Sequence, residues 1–86
     1  MPNGKQVTLR QIRDGQSGIV LQIQGGHGLI SRLNALGIRP GQRITRVSST
    51  PMRGPVTVKV GNAQVAIGFG IANKIIVEPI EARDGK

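Results

Sequence analysis

The feature that most constrains this sequence is an apolar alternation that runs from Val56 to Ile67. Valines occupy every second position as far as Val60, the dipeptide Gly61-Asn62 follows, and the alternation then resumes. A period of two places successive side chains on opposite faces of a strand, and a glycine-asparagine pair between two such runs is typical of a tight turn. We therefore predict a β-hairpin, which commits the chain to building a sheet.

The composition extends this prediction to the whole chain. Eleven Ile and eight Val stand against five Leu in 86 residues, and β-branched side chains favour strands. Thirteen Gly and five Pro supply frequent turns. Further strands are predicted over Ile19–Gln24, from Gln42 onward, and over Lys74–Pro79. We expect a mainly β fold, a small barrel of five or six strands around one short helix.

The same periodicity predicts which side chains face the core and which face solvent. The side chains expected inward in the two strands before the hairpin are Ile19, Leu21, Ile23, Ile44 and Val47. Arg43 and Arg46 are expected at exposed positions. Pro40 and Gly41 occupy the two central positions of a predicted type II turn that precedes the second of these strands. A loop is expected over Ser48–Pro55.

One segment has the spacing of an amphipathic helix. The apolar residues that recur at helical spacing are Leu29, Ile30, Leu33 and Leu36. Gly37 follows as the residue that ends the helix in a left-handed conformation. Most of this apolar stripe is expected in the core, because a lone helix beside a small barrel buries its apolar side there. The segment from Gly68 to Asn73 is too glycine-rich for a long helix and is predicted to be a single turn.

The charge distribution is strongly asymmetric. The chain carries twelve Lys+Arg against four Asp+Glu, a net charge of +8, and residues 15–77 contain no carboxylate side chain. We therefore expect the body of the fold, Arg46 included, to present positive charge that has no internal partner. Such a surface attracts nucleic acid, anionic lipid or an acidic protein surface.

The residue inventory argues against catalysis. There is no Cys and a single His, so thiol chemistry is excluded, and a metal site of three or more protein ligands would need His27 together with distant carboxylates. Gly26-His27-Gly28 imitates the start of a dinucleotide fingerprint, but it lacks the third glycine and the later acidic residue. We expect no enzyme activity and no catalytic residue, cofactor site or metal site. The sequence also has no run of 18 apolar residues and no signal-peptide pattern, which favours a cytoplasmic protein that does not insert into a membrane.

Binding to another macromolecule is the class of function that remains. The sequence offers apolar and basic residues for such binding. The candidate partner-binding residues are Leu29, Ile30, Arg32, Arg39, Arg43, Met52 and Arg53. A basic barrel could instead bind RNA or ribosomal phosphates. Phe69 is the only aromatic residue and is expected in the core, which disfavours stacking on nucleic-acid bases.

Several of these residues together resemble a known family. They are Gly26, Leu29, the stretch RLNALGIRPG from Arg32 to Gly41, Gly54-Pro55, the Val56–Ile67 hairpin, and Ala72 followed by Ile75 and Val77. In this arrangement the chain is similar to the FeoA family of small ferrous iron transport accessory proteins. The resemblance covers residues 7–80, which leaves a polar leader over residues 1–6 and a tail expected to fray over residues 81–86.

The resemblance implies an SH3-like barrel with an inserted helix. It also implies a cytoplasmic, non-catalytic role as the partner of FeoB, the membrane Fe(II) transporter that carries a GTP-binding domain. A related barrel forms the C-terminal domain of iron-dependent repressors. Two alternatives to transporter docking stay open at this point: RNA binding, and iron sensing, for which the residues supply no convincing site. The sequence also leaves open whether the apolar residues contact a partner or a second copy of the chain.

Overall fold

Six antiparallel strands in one sheet form the fold, together with two short helices. The computed structural model describes residues 4–49 and 54–80. The elements in chain order are β1 (Val7–Thr8), a 3₁₀ turn (Leu9–Gln11), β2 (Ser17–Ile23), α1 (His27–Ala35), β3 (Arg43–Ser49), β4 (Val56–Val60), β5 (Ala63–Ile67), α2 (Phe69–Ala72) and β6 (Ile75–Ile80). The predicted mainly β class, strand number and inserted helix are confirmed.

The predicted hairpin is formed by β4 and β5. Its register is continuous from Val60 opposite Ala63 to Val56 opposite Ile67. Gly61 adopts a φ of +59°, as a tight hairpin turn requires. The strand order is β1-β6-β2-β3-β4-β5, so the hairpin occupies one end of the sheet and the two-residue strand β1 occupies the other.

The core is entirely apolar in the part of the chain that the structure describes. Every strand contributes except the two-residue β1, together with the 3₁₀ turn, both helices and the turn after α1. The buried apolar residues are Leu9, Ile12, Val20, Ile23, Leu33, Ile38, Ile44, Val56, Val58, Val60, Ile67, Ala72, Ile75 and Val77. No buried polar or charged residue interrupts this set, so dispersion contacts and the hydrophobic effect hold the elements together.

Two β-bulges change the predicted strand faces. In β2, Val20 lies opposite Val77 and Gln22 lies opposite Ile76, so Leu21 is an additional residue without a place in the register. The inward residues are consequently Val20 and Ile23, and the prediction that Ile19 and Leu21 face inward is wrong.

In β3 the bulge falls at Val47, between Arg46 opposite Val58 and Ser48 opposite Thr57. Val47 is 39% exposed, so its predicted place in the core is wrong as well. The strand also continues to Ser49, two residues into the predicted loop. Residues 50–53 of that loop, which include Met52 and Arg53, lie outside the described residues.

The two glycines that follow α1 adopt the predicted conformations. Gly37 has a φ of +91°, its N–H donates to the carbonyl of Asn34 at 3.0 Å, and the N–H of Ile38 donates to that of Leu33 at 2.9 Å. These two bonds are the Schellman motif that ends many helices. Gly41 also has a φ of +91°, in the predicted type II turn. The helix therefore ends where the sequence indicates.

The apolar stripe of α1 is divided between core and surface. Leu33 is buried, and Leu29 and Ile30 are half-buried and packed against the core. Most of the stripe thus lies against the core as expected, and the exception is Leu36, which is 48% exposed. The exposure follows from its position as the C-cap residue, where the chain leaves the helix toward Ile38.

The predicted turn over residues 68–73 is the four-residue helix α2. Its Phe69 is half-buried, so the prediction that this ring lies in the core is wrong. The guanidinium of Arg10 lies over the ring at 4.1 Å from its centroid, and Nη1 of Arg10 donates to Oδ1 of Asn73 at 3.3 Å. The ring therefore serves as a platform for a cation. The predicted tail, residues 81–86, and the first three residues of the leader lie outside the described residues.

Replacing Gly37 with alanine tests the close contact between the end of α1 and the hairpin. A Cβ at this position would lie 3.0 Å from Cγ1 of Val60, at a φ that L-residues rarely adopt. We expect Gly37→Ala to lower the free energy of unfolding by about 1–2 kcal/mol in urea denaturation.

Gly28→Ala is the matched control. Gly28 is in the first turn of α1, and an added Cβ there meets nothing within 4 Å. Alanine is the better helix former, so stability should stay the same or rise by up to about 1 kcal/mol. Equal losses in the two variants would contradict the proposed role of the Gly37 contact.

Candidate partner-binding surface

The connection from α1 to β3 carries the most prominent combination of apolar and basic side chains. We define the helix-end surface by Arg32, Leu36, Arg39 and Arg43. Arg32 and Leu36 are four residues apart, so they share one face at the end of α1. The other two arginines lie in the type II turn and at the first residue of β3.

Backbone hydrogen bonds hold this connection in place. The Gln42 N–H donates to the Arg39 carbonyl at 3.0 Å and closes the turn. The Gly41 N–H donates to the carbonyl of Val20 at 2.8 Å, and the Val20 N–H donates to the Gln42 carbonyl at 2.9 Å. The turn is thus tied to the central strand β2, while Ile38 is completely buried beneath it. The positions of the surface residues are fixed by the scaffold before any partner arrives.

The arginines of the helix-end surface are exposed and carry charge that the described part of the chain does not neutralise. None of the three side chains forms a hydrogen bond or an ion pair within the described ranges. The two acidic residues there are engaged elsewhere. Asp14 pairs with Arg46, and the carboxylate of Glu78 accepts a hydrogen bond from the Gly4 N–H at 2.7 Å. The surface therefore combines an exposed leucine with three guanidinium groups that are free to bind carboxylates or phosphates.

Arg46 was predicted to be exposed without an internal partner, and this prediction is wrong. It lies on the inner side of β3, opposite the buried Val58, and its side chain is only 14% exposed. Its Nε donates to Oδ1 of Asp14 at 3.0 Å, and Nη1 donates to the carbonyl oxygens of Arg10 at 2.7 Å and of Ile12. The guanidinium thus satisfies one carbonyl within the 3₁₀ turn and one directly after it, and Arg46 is a structural residue rather than a part of the binding surface.

The structure distributes the seven candidate residues among three environments. Arg32, Arg39 and Arg43 are exposed, as predicted, whereas Leu29 and Ile30, in the first turn of α1, are half-buried and packed against the core. Met52 and Arg53 lie outside the described residues. Leu36 was missed as a surface residue. Its position directly before the helix-ending glycine was the available signal, because in this motif the apolar contact with the last turn is made by the residue after the glycine, here Ile38.

The described residues also bear on metal binding and on membrane insertion. No group of three or more His, Cys, Asp or Glu residues in residues 4–49 and 54–80 could hold a metal ion. His27, the first residue of α1, is exposed. In the same ranges, no helix has the length and apolar character needed to cross a membrane.

Comparisons with known proteins agree with the sequence resemblance. The FeoA domain family matches residues 7–79. A Fe(2+) transport protein A of Methanocaldococcus jannaschii is 35% identical over 69 residues, which are 80% of this chain and 82% of the relative. The crystal structure of an iron uptake regulatory protein (FeoA) is 37% identical with a TM-score of 0.82, and the match covers 88% of this chain and 100% of that one.

A manganese-dependent transcriptional repressor has the same fold. It is 23% identical with a TM-score of 0.80, over 93% of this chain and 45% of the repressor. At this identity the likeness concerns the fold alone. It agrees with the expectation that a related barrel occurs within larger metal-dependent repressors, and the predicted SH3-like architecture is confirmed.

Replacing Arg46 tests its role as a clamp on the segment around the 3₁₀ turn. Arg46→Met keeps the apolar stem but leaves the carbonyls of Arg10 and Ile12 without their donor. We expect the free energy of unfolding to fall by about 1–3 kcal/mol in urea denaturation. Asp14→Asn should cost less than about 1 kcal/mol, because the Asp14 side chain is 55% exposed and the pair is screened by water.

Arg43→Met is the control for this series. It removes the same charge from an exposed position in the same strand, and its effect should stay within about 0.5 kcal/mol. If Arg46→Met were as mild as Arg43→Met, the clamp would have no energetic role.

Proposed function

Because the chain belongs to the FeoA family of ferrous iron transport accessory proteins, we propose that it docks on an FeoB-type Fe(II) transporter. In this proposal the chain is a non-enzymatic cytoplasmic module, and its target is the cytoplasmic GTP-binding part of the transporter. The observation that carries the choice of surface is the exposed Leu36 among three arginines that have no acidic partner in the described part of the chain.

The helix-end surface offers a protein partner both apolar area and positive charge. The exposed leucine gains from the loss of water on contact, and arginine is among the residues that most often dominate interface energies. The planar guanidinium of Arg39 or Arg43 can donate two parallel N–H hydrogen bonds to a carboxylate. We therefore expect the partner to present a shallow apolar recess bordered by Asp or Glu.

Rigidity of the connection favours docking without rearrangement. The Schellman motif and the type II turn already fix the backbone from Leu36 to Gln42. Little conformational entropy is then lost on binding, and most of the contact energy is available for affinity. The half-buried Leu29 and Ile30, in the first turn of α1, and Met52 and Arg53 are further candidate contacts in this proposal.

Regulation by such a module requires unequal binding to the partner's states. A GTP-binding domain exchanges between nucleotide-dependent conformations, and a docked module shifts that equilibrium only by its difference in affinity for them. We propose that the chain modulates GTP turnover or iron uptake in this way, with no catalytic group of its own.

Affinity for the isolated GTP-binding domain of the transporter tests the surface. Leu36→Ser and Arg39→Glu should each weaken binding at least about tenfold in isothermal titration calorimetry, a loss of about 1.4 kcal/mol. The expected cause is the loss of the apolar centre in the first variant and charge repulsion in the second. Arg53→Glu should also weaken binding if the loop takes part.

Two matched controls separate this surface from general effects. Val47→Ser alters another exposed large apolar residue of the described part, and Arg13→Glu makes the same charge change at another exposed site. Both should bind within about threefold of the unaltered protein, since distant surface changes have small effects. Equal weakening by Arg13→Glu and Arg39→Glu would mean that only net charge matters.

A titration with polyuridylate at low salt distinguishes the RNA-binding alternative. Binding of phosphates through many basic residues would fall steeply with salt and would respond alike to each Arg→Glu change. We expect no saturable binding, since the one aromatic ring is half-buried under Arg10. Saturable binding of this polymer with unaltered affinity for the transporter domain in Leu36→Ser would overturn the proposed function.

A further inference from the structure

Strand β5 is an open edge of the sheet. It pairs with β4 on one side, and no described strand pairs with its other side. Its sequence, AQVAI, contains no charged residue and no proline, and its register with β4 has no bulge. Charged residues, prolines and bulges are the features that usually prevent an edge strand from pairing with another chain. The opposite edge, β1, is only two residues long, so β5 is the edge that remains available for pairing.

The hairpin geometry identifies the backbone groups that face outward. The two-residue turn places the Ala63 N–H on the Val60 carbonyl, and hydrogen-bonded pairs then alternate along an antiparallel ladder. Ala63, Val65 and Ile67 therefore direct their backbone groups to β4. The N–H and C=O groups of Gln64 and Ala66 point away from the sheet.

The surroundings of this edge are basic. Lys59 lies directly opposite Gln64 on β4 and is exposed. Thr45 lies opposite Lys59, and Arg43 is two residues away on the same face of β3. The sequence has no Asp or Glu between residues 15 and 77, so no carboxylate of the neighbouring strands offsets these charges.

We propose that β5 binds an extended acidic segment of a protein partner as an additional strand. The backbone of Gln64 and Ala66 would supply four main-chain hydrogen-bonding groups, and Lys59 would select carboxylates on the partner strand. A second copy of the chain is the less favoured occupant, because each copy carries a net charge of +8 and like charges repel. This site is separate from the helix-end surface, and it does not depend on the transporter as the partner.

Amide hydrogen exchange with a designed probe tests the site. The probe is a short synthetic peptide in which glutamate alternates with valine, and its counterpart carries lysine in place of glutamate. At a saturating concentration, the glutamate peptide should slow exchange at the amides of Gln64 and Ala66 by about tenfold or more. The lysine peptide should leave both amides unchanged.

A pair of substitutions at Ala66 separates the backbone from the side chain. Ala66→Pro removes the outward N–H without removing a bond to β4, which edge strands tolerate. It should abolish protection of Gln64 by the glutamate peptide, whereas Ala66→Ser keeps the N–H and should preserve that protection. Thermal unfolding of both variants establishes that they are folded.

A second pair keeps the proposal testable if the proline variant fails to fold. Ala66→Glu places a carboxylate beside Lys59 and should weaken the glutamate peptide at least about fivefold through charge repulsion, while Ala66→Gln should not. These substitutions leave the helix-end surface unchanged, so a failure here would not count against transporter docking.

Three results would overturn the proposal. Exchange at Gln64 and Ala66 that is unaffected by the glutamate peptide would show that the edge does not accept a strand. Equal protection by the lysine peptide would remove the acidic preference. Protection that rises with protein concentration in the absence of peptide would identify a second copy of the chain as the occupant.

Discussion

The contact between Gly37 and Val60 is the constraint on which the binding surface depends. At this point the backbone of the helix end lies so close to Cγ1 of Val60 that a Cβ would be only 3.0 Å away. The positive φ of Gly37 turns the chain there, buries Ile38 and leaves Leu36 outside. A helix that continued past Gly37 would carry Ile38 out of the core and move the type II turn away from β2. The exposed leucine is therefore a consequence of how the helix is stopped.

The charged side chains fall into two groups, those paired within the protein and those exposed without a partner in the described part of the chain. Among the described residues, the Asp14 carboxylate is used on Arg46, the one arginine that the sheet turns inward, and Glu78 binds a backbone N–H near the N-terminus. Arg46 also donates hydrogen bonds to backbone carbonyls. These bonds offset the cost of burying a charged side chain that is only 14% exposed. The arginines of the helix-end surface and Lys59, beside the open edge of β5, have no acidic partner in the described part of the chain.

Local signals in the sequence predict local geometry well, and tertiary contacts account for what they miss. The hairpin, the Pro40-Gly41 turn and the helix end at Gly37 each follow from residues within a few positions. The bulges at Leu21 and Val47 do not, because an additional residue in a strand is defined only against its partner strand. Each bulge reverses the alternation beyond it, so Val20 and Ile23 both point inward although they are three residues apart, and Val47 leaves the core. Arg46 precedes its bulge and lies inward at the regular spacing of two from Ile44, so its predicted exposure was wrong for a local reason. For the candidate site, the three exposed arginines were predicted, whereas the exposure of Leu36 was not.

The stretch that carries the family resemblance has two separable roles. Within RLNALGIRPG, one set of residues builds the connection: Leu33 and Ile38 are buried, and Gly37 and Gly41 adopt positive φ. The other set points outward and contributes nothing to the core: Arg32, Leu36 and Arg39. The manganese-dependent repressor has the same fold at 23% identity, so this barrel does not require most of the residues found here. The outward set can change without disturbing the buried residues and glycines that build the connection, so the proposed contact residues are separable from those that form the fold.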